Sequence, residues 1–164
     1  MTTEGHNPRP IGPPTPEGTF GSTDAAARAA LRAAFRRTKR DGFESGGGIF
    51  KILVGRSAGQ FSFYFVGGAR SETSVEKPQR APGRPGAAIL VASFHSHTPG
   101  PKPDTFSDPD YQNAFDAQKP SFMVGPSGKM WMLMPAASVP RDLGALTINS
   151  IVNNSLVTPL GRTR

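Results

Sequence analysis

No cysteine occurs among the 164 residues. That excludes disulfides, a thiolate nucleophile and a thiolate-held zinc finger, although it does not fix the compartment. Long apolar runs are missing too. Nothing approaches the roughly 20 residues of a membrane-spanning helix, and the first residues lack the apolar core of a secretory signal. The expectation is a soluble protein, cytoplasmic or exported by a route that needs no signal peptide. Apolar residues make up 36% of the chain, while 19 glycines and 17 prolines are many. The shortage is concentrated. Residues 1–21 hold five prolines and four glycines and little that is apolar beyond Ile11 and Phe20, so they read as a disordered lead-in. Residues 67–86, rich in glycine, proline and charge, read as a surface loop. The rest, 22–164 less that loop, is enough for one buried core.

Acidic residues are outnumbered, 12 against 19 Lys and Arg, for a net charge of +7. Part of the excess is local: Arg28, Arg32, Arg36 and Arg40 fall four apart, with Arg37 and Lys39 beside them. On a helix this makes a basic stripe. It would suit nucleic acid or an acidic partner, but no aromatic platform accompanies it, which favours a solvated face near a helix C-terminus.

Ser22 or Thr23 can cap a helix running from Ala25 to Arg40, with Asp24 in its first turn, Ala27, Leu31, Ala34 and Phe35 on one side, and Gly42 ending it. Three glycines then lead into a strand, Ile49–Val54. A turn at Gly55–Gly59 precedes a second strand, Phe61–Val66, with Phe61, Phe63 and Phe65 on one face. These two predict a hairpin. Ala87–Phe94 is almost continuously apolar, the pattern of a central strand buried on both faces. A proline-rich connector, Thr98–Thr105, leads to a short helix from about Asp108 to Gln118. Gly125-Pro126-Ser127-Gly128 joins two further strands, Ser121–Val124 and Lys129–Met134. The tail beyond about residue 136 shows no clean period. The order predicts an α/β domain on a single mixed sheet flanked by helices.

Of three histidines, two are His95 and His97. Residues two apart on an extended chain point the same way, so both imidazoles can face one ion where the strand leaves the sheet. Asp110 follows in the first turn of a helix. Three ligands drawn from His and carboxylate, with a fourth position open to water, are the usual set of a hydrolytic zinc site. Such a site needs a base that is not a ligand. Glu44, one of five glutamates, lies just ahead of a glycine-rich segment where backbones can pack closely, and is the candidate. Ser107 could donate to a forming oxyanion. Each has a plainer explanation: Ser107-Asp108-Pro109-Asp110 is by itself an adequate helix start.

Glu44, then His95-Ser96-His97, then Ser107-Asp108-Pro109-Asp110 resembles the pattern of the JAMM (JAB/MPN domain) zinc metalloprotease family. The likeness is closest to a bacterial branch often joined to polymorphic toxins and other secreted effectors. It is carried by the Ala-rich helix Ala25–Ala34, Glu44-Ser45-Gly46-Gly47, Phe106-Ser107, and Pro126-Ser127-Gly128 before Trp131, and it spans about residues 22–135. The spacer from His97 to Ser107 is nine residues where the family usually has seven. The resemblance implies a JAB/MPN-like fold related to cytidine deaminases, zinc on His95, His97 and Asp110, Glu44 as base and Ser107 as oxyanion support. It also implies peptide or isopeptide cleavage, as in removal of ubiquitin-like tags, and, for an effector, an immunity protein or a secretion component as partner. A catalytically silent MPN-like interaction module is the other implied role. Nucleic acid is the least supported partner.

Overall fold

The computed structural model describes residues 18–66, 78, 81, 83–100, 104–135 and 157–163. It is an α/β fold with two helices and one six-stranded mixed sheet among these residues. Helix α1 spans Thr23–Asp41, capped by the Ser22 hydroxyl, which accepts from the Ala25 N–H at 3.1 Å. It is closed by Gly42 in a left-handed conformation, φ 76°, which glycine adopts without a Cβ penalty. The strands are β1 Gly46–Ile52, β2 Phe61–Phe65, β3 Ala88–Ser96, β4 Ser121–Val124, β5 Lys129–Leu133 and β6 Val157–Arg162, and α2 is Asp108–Ala117. Their order across the sheet is β2-β1-β3-β4-β5-β6. Every neighbouring pair is antiparallel except β3 and β4. A parallel pair needs a crossover, and α2 is that crossover.

The expected β1–β2 and β4–β5 hairpins are both present. β6 was not foreseen in the tail; it pairs with β5 at the sheet edge, where its Pro159 is tolerated because an edge strand need not donate on both sides. Arg28, the first cation of the basic stripe, donates to the Leu160 carbonyl at 2.6 Å and ties α1 to this strand. Arg37 lies 4.0 Å over the Phe65 ring. Arg32, Arg36, Lys39 and Arg40 are exposed, as a solvated face requires. Phe20, the last apolar residue of the segment read as a lead-in, forms a bridge with Phe61. The rest of that reading, residues 1–17, lies outside the described residues, as does most of the 67–86 loop.

α1 covers one face of the sheet. Ala26, Ala27, Ala30, Leu31 and Ala34 pack on Ile49, Phe63, Phe94, Phe122 and Met130. Small side chains on the helix let it sit close to the large ones on the strands. On the opposite face Phe106, Tyr111 and Ala114 gather with Met123, Leu133 and Val157. Alternation in β4 separates the two cores: Phe122 and Val124 belong to the first, Met123 to the second.

β3 is central, but the expectation that it is buried on both faces needs correcting. β4 has four residues and pairs only with Ser93–Ser96, so the first half of β3 has no neighbour on that side among the described residues, and Ile89 is 52% exposed. A register shift between Ile49 and Phe50, opposite Val91, changes the phase of the strand. Before it Ala88 and Leu90 join a third cluster with Phe50 and Tyr64; after it Ala92 and Phe94 face α1. Ser93, His95 and His97 therefore face α2.

The glycines of β1 are steric requirements. A Cβ on Gly47 would run into the Tyr64 carbonyl, and one on Gly46 into the Phe94 carbonyl and His95. Gly47→Ala is expected to lower stability by about 3 kcal/mol or more, as overpacking against a backbone that cannot yield. A thermal melt within a few degrees of the parent would contradict it.

Candidate metal centre

The site sits where β3 ends and the chain leaves the sheet toward α2. Parallel pairing with β4 holds this end: His95 is opposite Met123, and the His97 N–H donates to the Val124 carbonyl at 2.9 Å. Two residues apart, the imidazoles share a face, their ring centroids 5.0 Å apart. His97 is 1% exposed. The Phe106 ring, 6.3 Å from that of His95, closes one side.

Asp110 comes from the first turn of α2. Its position is set by a capping box: the Ser107 hydroxyl accepts from the Asp110 N–H at 3.4 Å, and the Ser107 N–H donates to Asp110 Oδ2 at 2.9 Å. Pro109 suits the first turn, where its missing N–H has no partner to lose. The plain helix-start reading of these residues thus holds, and the same cap aims the carboxylate at the two imidazoles.

The ligand atoms converge. His95 Nε2 is 3.2 Å from His97 Nε2 and 3.2 Å from Asp110 Oδ1, and His97 Nε2 is 3.0 Å from Asp110 Oδ2. Three ligands placed tetrahedrally about 2.0–2.1 Å from one ion would lie about 3.3–3.4 Å from each other. The two imidazole nitrogens stand close to that separation, while the two contacts to Asp110 end on different carboxylate oxygens; with one atom taken from each residue, all lie within 4.8 Å of one another. Two neutral imidazoles and a carboxylate give a net charge of about −1, which a divalent cation relieves. His95, His97 and Asp110 form the one group of three or more metal-ligating side chains among the described residues, and it could hold a metal ion. His6, the third histidine, lies outside them.

Without metal the three groups stabilise one another through protons. Burial pushes the Asp110 carboxyl upward, but the charge of His95 and the hydrogen bonds from both imidazoles outweigh it, holding the group well below the usual carboxylate range. A folded-state value below the unfolded one adds stability above about pH 4, and that contribution is lost as pH falls toward the folded value. Denaturant midpoints of the metal-free protein are therefore expected to drop as pH falls below about 5. Asp110→Asn should flatten that drop; an equally steep fall in the variant would contradict the assignment.

Glu44 is 2% exposed, in the segment that leads into β1. Gly46 is paired with His95, and the Ser96 N–H donates to the Ser45 carbonyl at 2.8 Å. Glu44 directly precedes this bonded pair of serines on the β1 side, as His97 directly follows it on the β3 side. The close approach expected of Gly46 and Gly47 is what brings this segment against β3.

The chain motif did not disclose Asp104. Its carbonyl accepts from Trp131 Nε1 at 2.9 Å, and its carboxylate accepts from the N–H and hydroxyl of Ser127. Gly125 leaves room for it, since a Cβ there would strike the carboxylate. Asp104 thus pins the end of the proline-rich connector to the β4–β5 turn, fixing where Phe106 and α2 begin. A carboxylate and a Pro-Ser-Gly turn 23 residues apart carry no local signal of such a contact. No family model matches the chain, and neither a curated protein nor a solved structure matches it.

Proposed function

We propose that the chain is a zinc-dependent hydrolase of the JAMM type that cleaves a peptide or isopeptide bond. The observation that carries this reading is the convergence of His95, His97 and Asp110, with a buried glutamate, Glu44, next to the Ser45–Ser96 hydrogen bond that joins the two segments. A bound zinc lowers the pKa of water to about 7 and polarises a carbonyl. The protein supplies the rest. Glu44, not needed as a ligand, takes a proton from the attacking water on its carboxylate and returns it to the leaving amine. The Ser107 hydroxyl uses a lone pair in the helix cap, which leaves its hydrogen to be donated to the oxyanion. The Ser107 N–H holds the Asp110 carboxylate in orientation, as outer partners of metal ligands commonly do.

The substrate class follows from the same reading: a lysine-linked conjugate of a ubiquitin-like protein, or an extended peptide. Action as a bacterial effector, with an immunity protein covering the cleft, belongs to it as well. Zinc-loaded protein offered isopeptide-linked and linear fluorogenic peptides should cleave at least one, lose the activity to a chelator and regain it with zinc. A zinc-loaded, folded protein inert toward the whole panel would count against hydrolysis and for the silent interaction module.

A further inference from the structure

Two short segments carry the site, Glu44-Ser45-Gly46 before and into β1 and His95-Ser96-His97 at the end of β3. In each, a serine adjoins the chemistry-bearing residues, and in extended chain it turns to the opposite face, under α1. There the serines are joined. The Ser96 N–H donates to the Ser45 carbonyl at 2.8 Å. A regular antiparallel pair would return a bond from the Ser45 N–H to the Ser96 carbonyl. Here the Ser45 N–H donates instead to the Ser96 hydroxyl, at 2.9 Å. The same hydroxyl lies 3.2 Å from the Ser45 carbonyl and 2.5 Å from Thr38 Oγ1 of α1. One proton arrangement satisfies every contact: Ser96 donates to the Ser45 carbonyl, while the Ser45 N–H and the Thr38 hydroxyl fill its two lone pairs. All three residues are buried.

We infer that Ser96 is a positioning residue whose hydroxyl, anchored to α1 by Thr38, fixes the segment bearing Glu44 against the two histidines. This rests on the reading of Glu44 as the proton carrier. Removing the hydroxyl leaves the Ser45 N–H and the Thr38 hydroxyl buried without that partner. The Glu44 segment then loses its tie to the Ser96 side chain and, through it, to α1. The histidines are held independently by β4, so the metal ligands stay while Glu44 shifts. A misplacement of about 1 Å costs on the order of 100-fold in rate.

The test uses wild type, Ser96→Ala, Glu44→Gln and the double variant, each loaded with cobalt(II), whose visible absorption reports the surroundings of its ligands. All four should bind one cobalt per chain, since none of His95, His97 and Asp110 is touched. Glu44→Gln should alter the spectrum, Ser96→Ala should alter it the same way, and the double variant should add nothing, because both act through one group. In metal-free protein the Ser45 amide should exchange at least about tenfold faster in Ser96→Ala. Thr38→Val should follow Ser96→Ala in direction, and Thr38→Ser should retain wild-type behaviour; this pair decides the matter if Ser96→Ala does not fold. On a cleaved substrate, kcat should fall about 100-fold with KM little changed. A wild-type spectrum and Ser45 exchange rate in Ser96→Ala, or loss of cobalt from it, would overturn the inference while leaving Glu44's role intact. An unchanged spectrum in Glu44→Gln would overturn the reading of Glu44 itself.

Discussion

Glu44→Gln is expected to lower turnover by about 100- to 10,000-fold with one zinc still bound, the range for loss of a positioned general base. Glutamine is the informative replacement. Glu44 is buried at 2% exposure, so truncation to alanine would open a void and confound chemistry with packing. The amide keeps the volume and can still hydrogen-bond, but it cannot accept a proton from water. The loss should fall on kcat with KM nearly unchanged, because the carboxylate acts on the reacting atoms and not in substrate binding. Turnover, zinc content and the thermal midpoint are measured on one preparation. Full turnover in the variant would remove Glu44 from the mechanism.

His97→Ala should abolish stoichiometric metal binding. Changing an outer partner of a metal ligand typically costs about 10- to 100-fold in affinity, and loss of one of three protein ligands should exceed that, to roughly 1,000-fold. His97 is the stricter test of the two histidines. It is 1% exposed, so bulk water cannot readily take its place, and Asp110 Oδ2 loses the partner it now has at 3.0 Å. Metal binding displaces protons from its ligands, so the wild-type affinity should also weaken as pH falls. Competition with a chromophoric chelator measures both. An affinity within tenfold of wild type in His97→Ala would mean that the ion, if any, sits elsewhere.

How much of this was legible in the chain depends on the range of the interactions. α1 was, because capping serine, alanine-rich interior and terminal glycine are local signals that the packing reinforces. So were the hairpins at Gly55–Gly59 and Gly125–Gly128, and the ligand group, since alternation places His95 and His97 on one face whatever the rest of the fold does. β6 was not: Val157-Thr158-Pro159-Leu160-Gly161-Arg162 carries two strand breakers. It becomes a strand only because β5 offers an edge and Arg28 holds Leu160 from 132 positions away. The partial exposure of β3 is not legible in the chain for the same kind of reason. Six apolar residues in a row do not say how long the neighbouring strand is. Arg28 and Arg37 looked interchangeable with the rest of the basic stripe, and only tertiary contacts separate them from it. Ser96 shows the same limit at one residue. The alternation that turns two histidines toward Asp110 turns the residue between them toward α1, where a buried hydroxyl must find partners.

The most direct test of the metal centre is elemental analysis of the protein purified without chelators and without a metal-binding tag, beside His97→Ala prepared identically. About one zinc per chain in the parent and none in the variant is the expected result. No stoichiometric metal in the parent, iron in place of zinc, or equal zinc in both would contradict it.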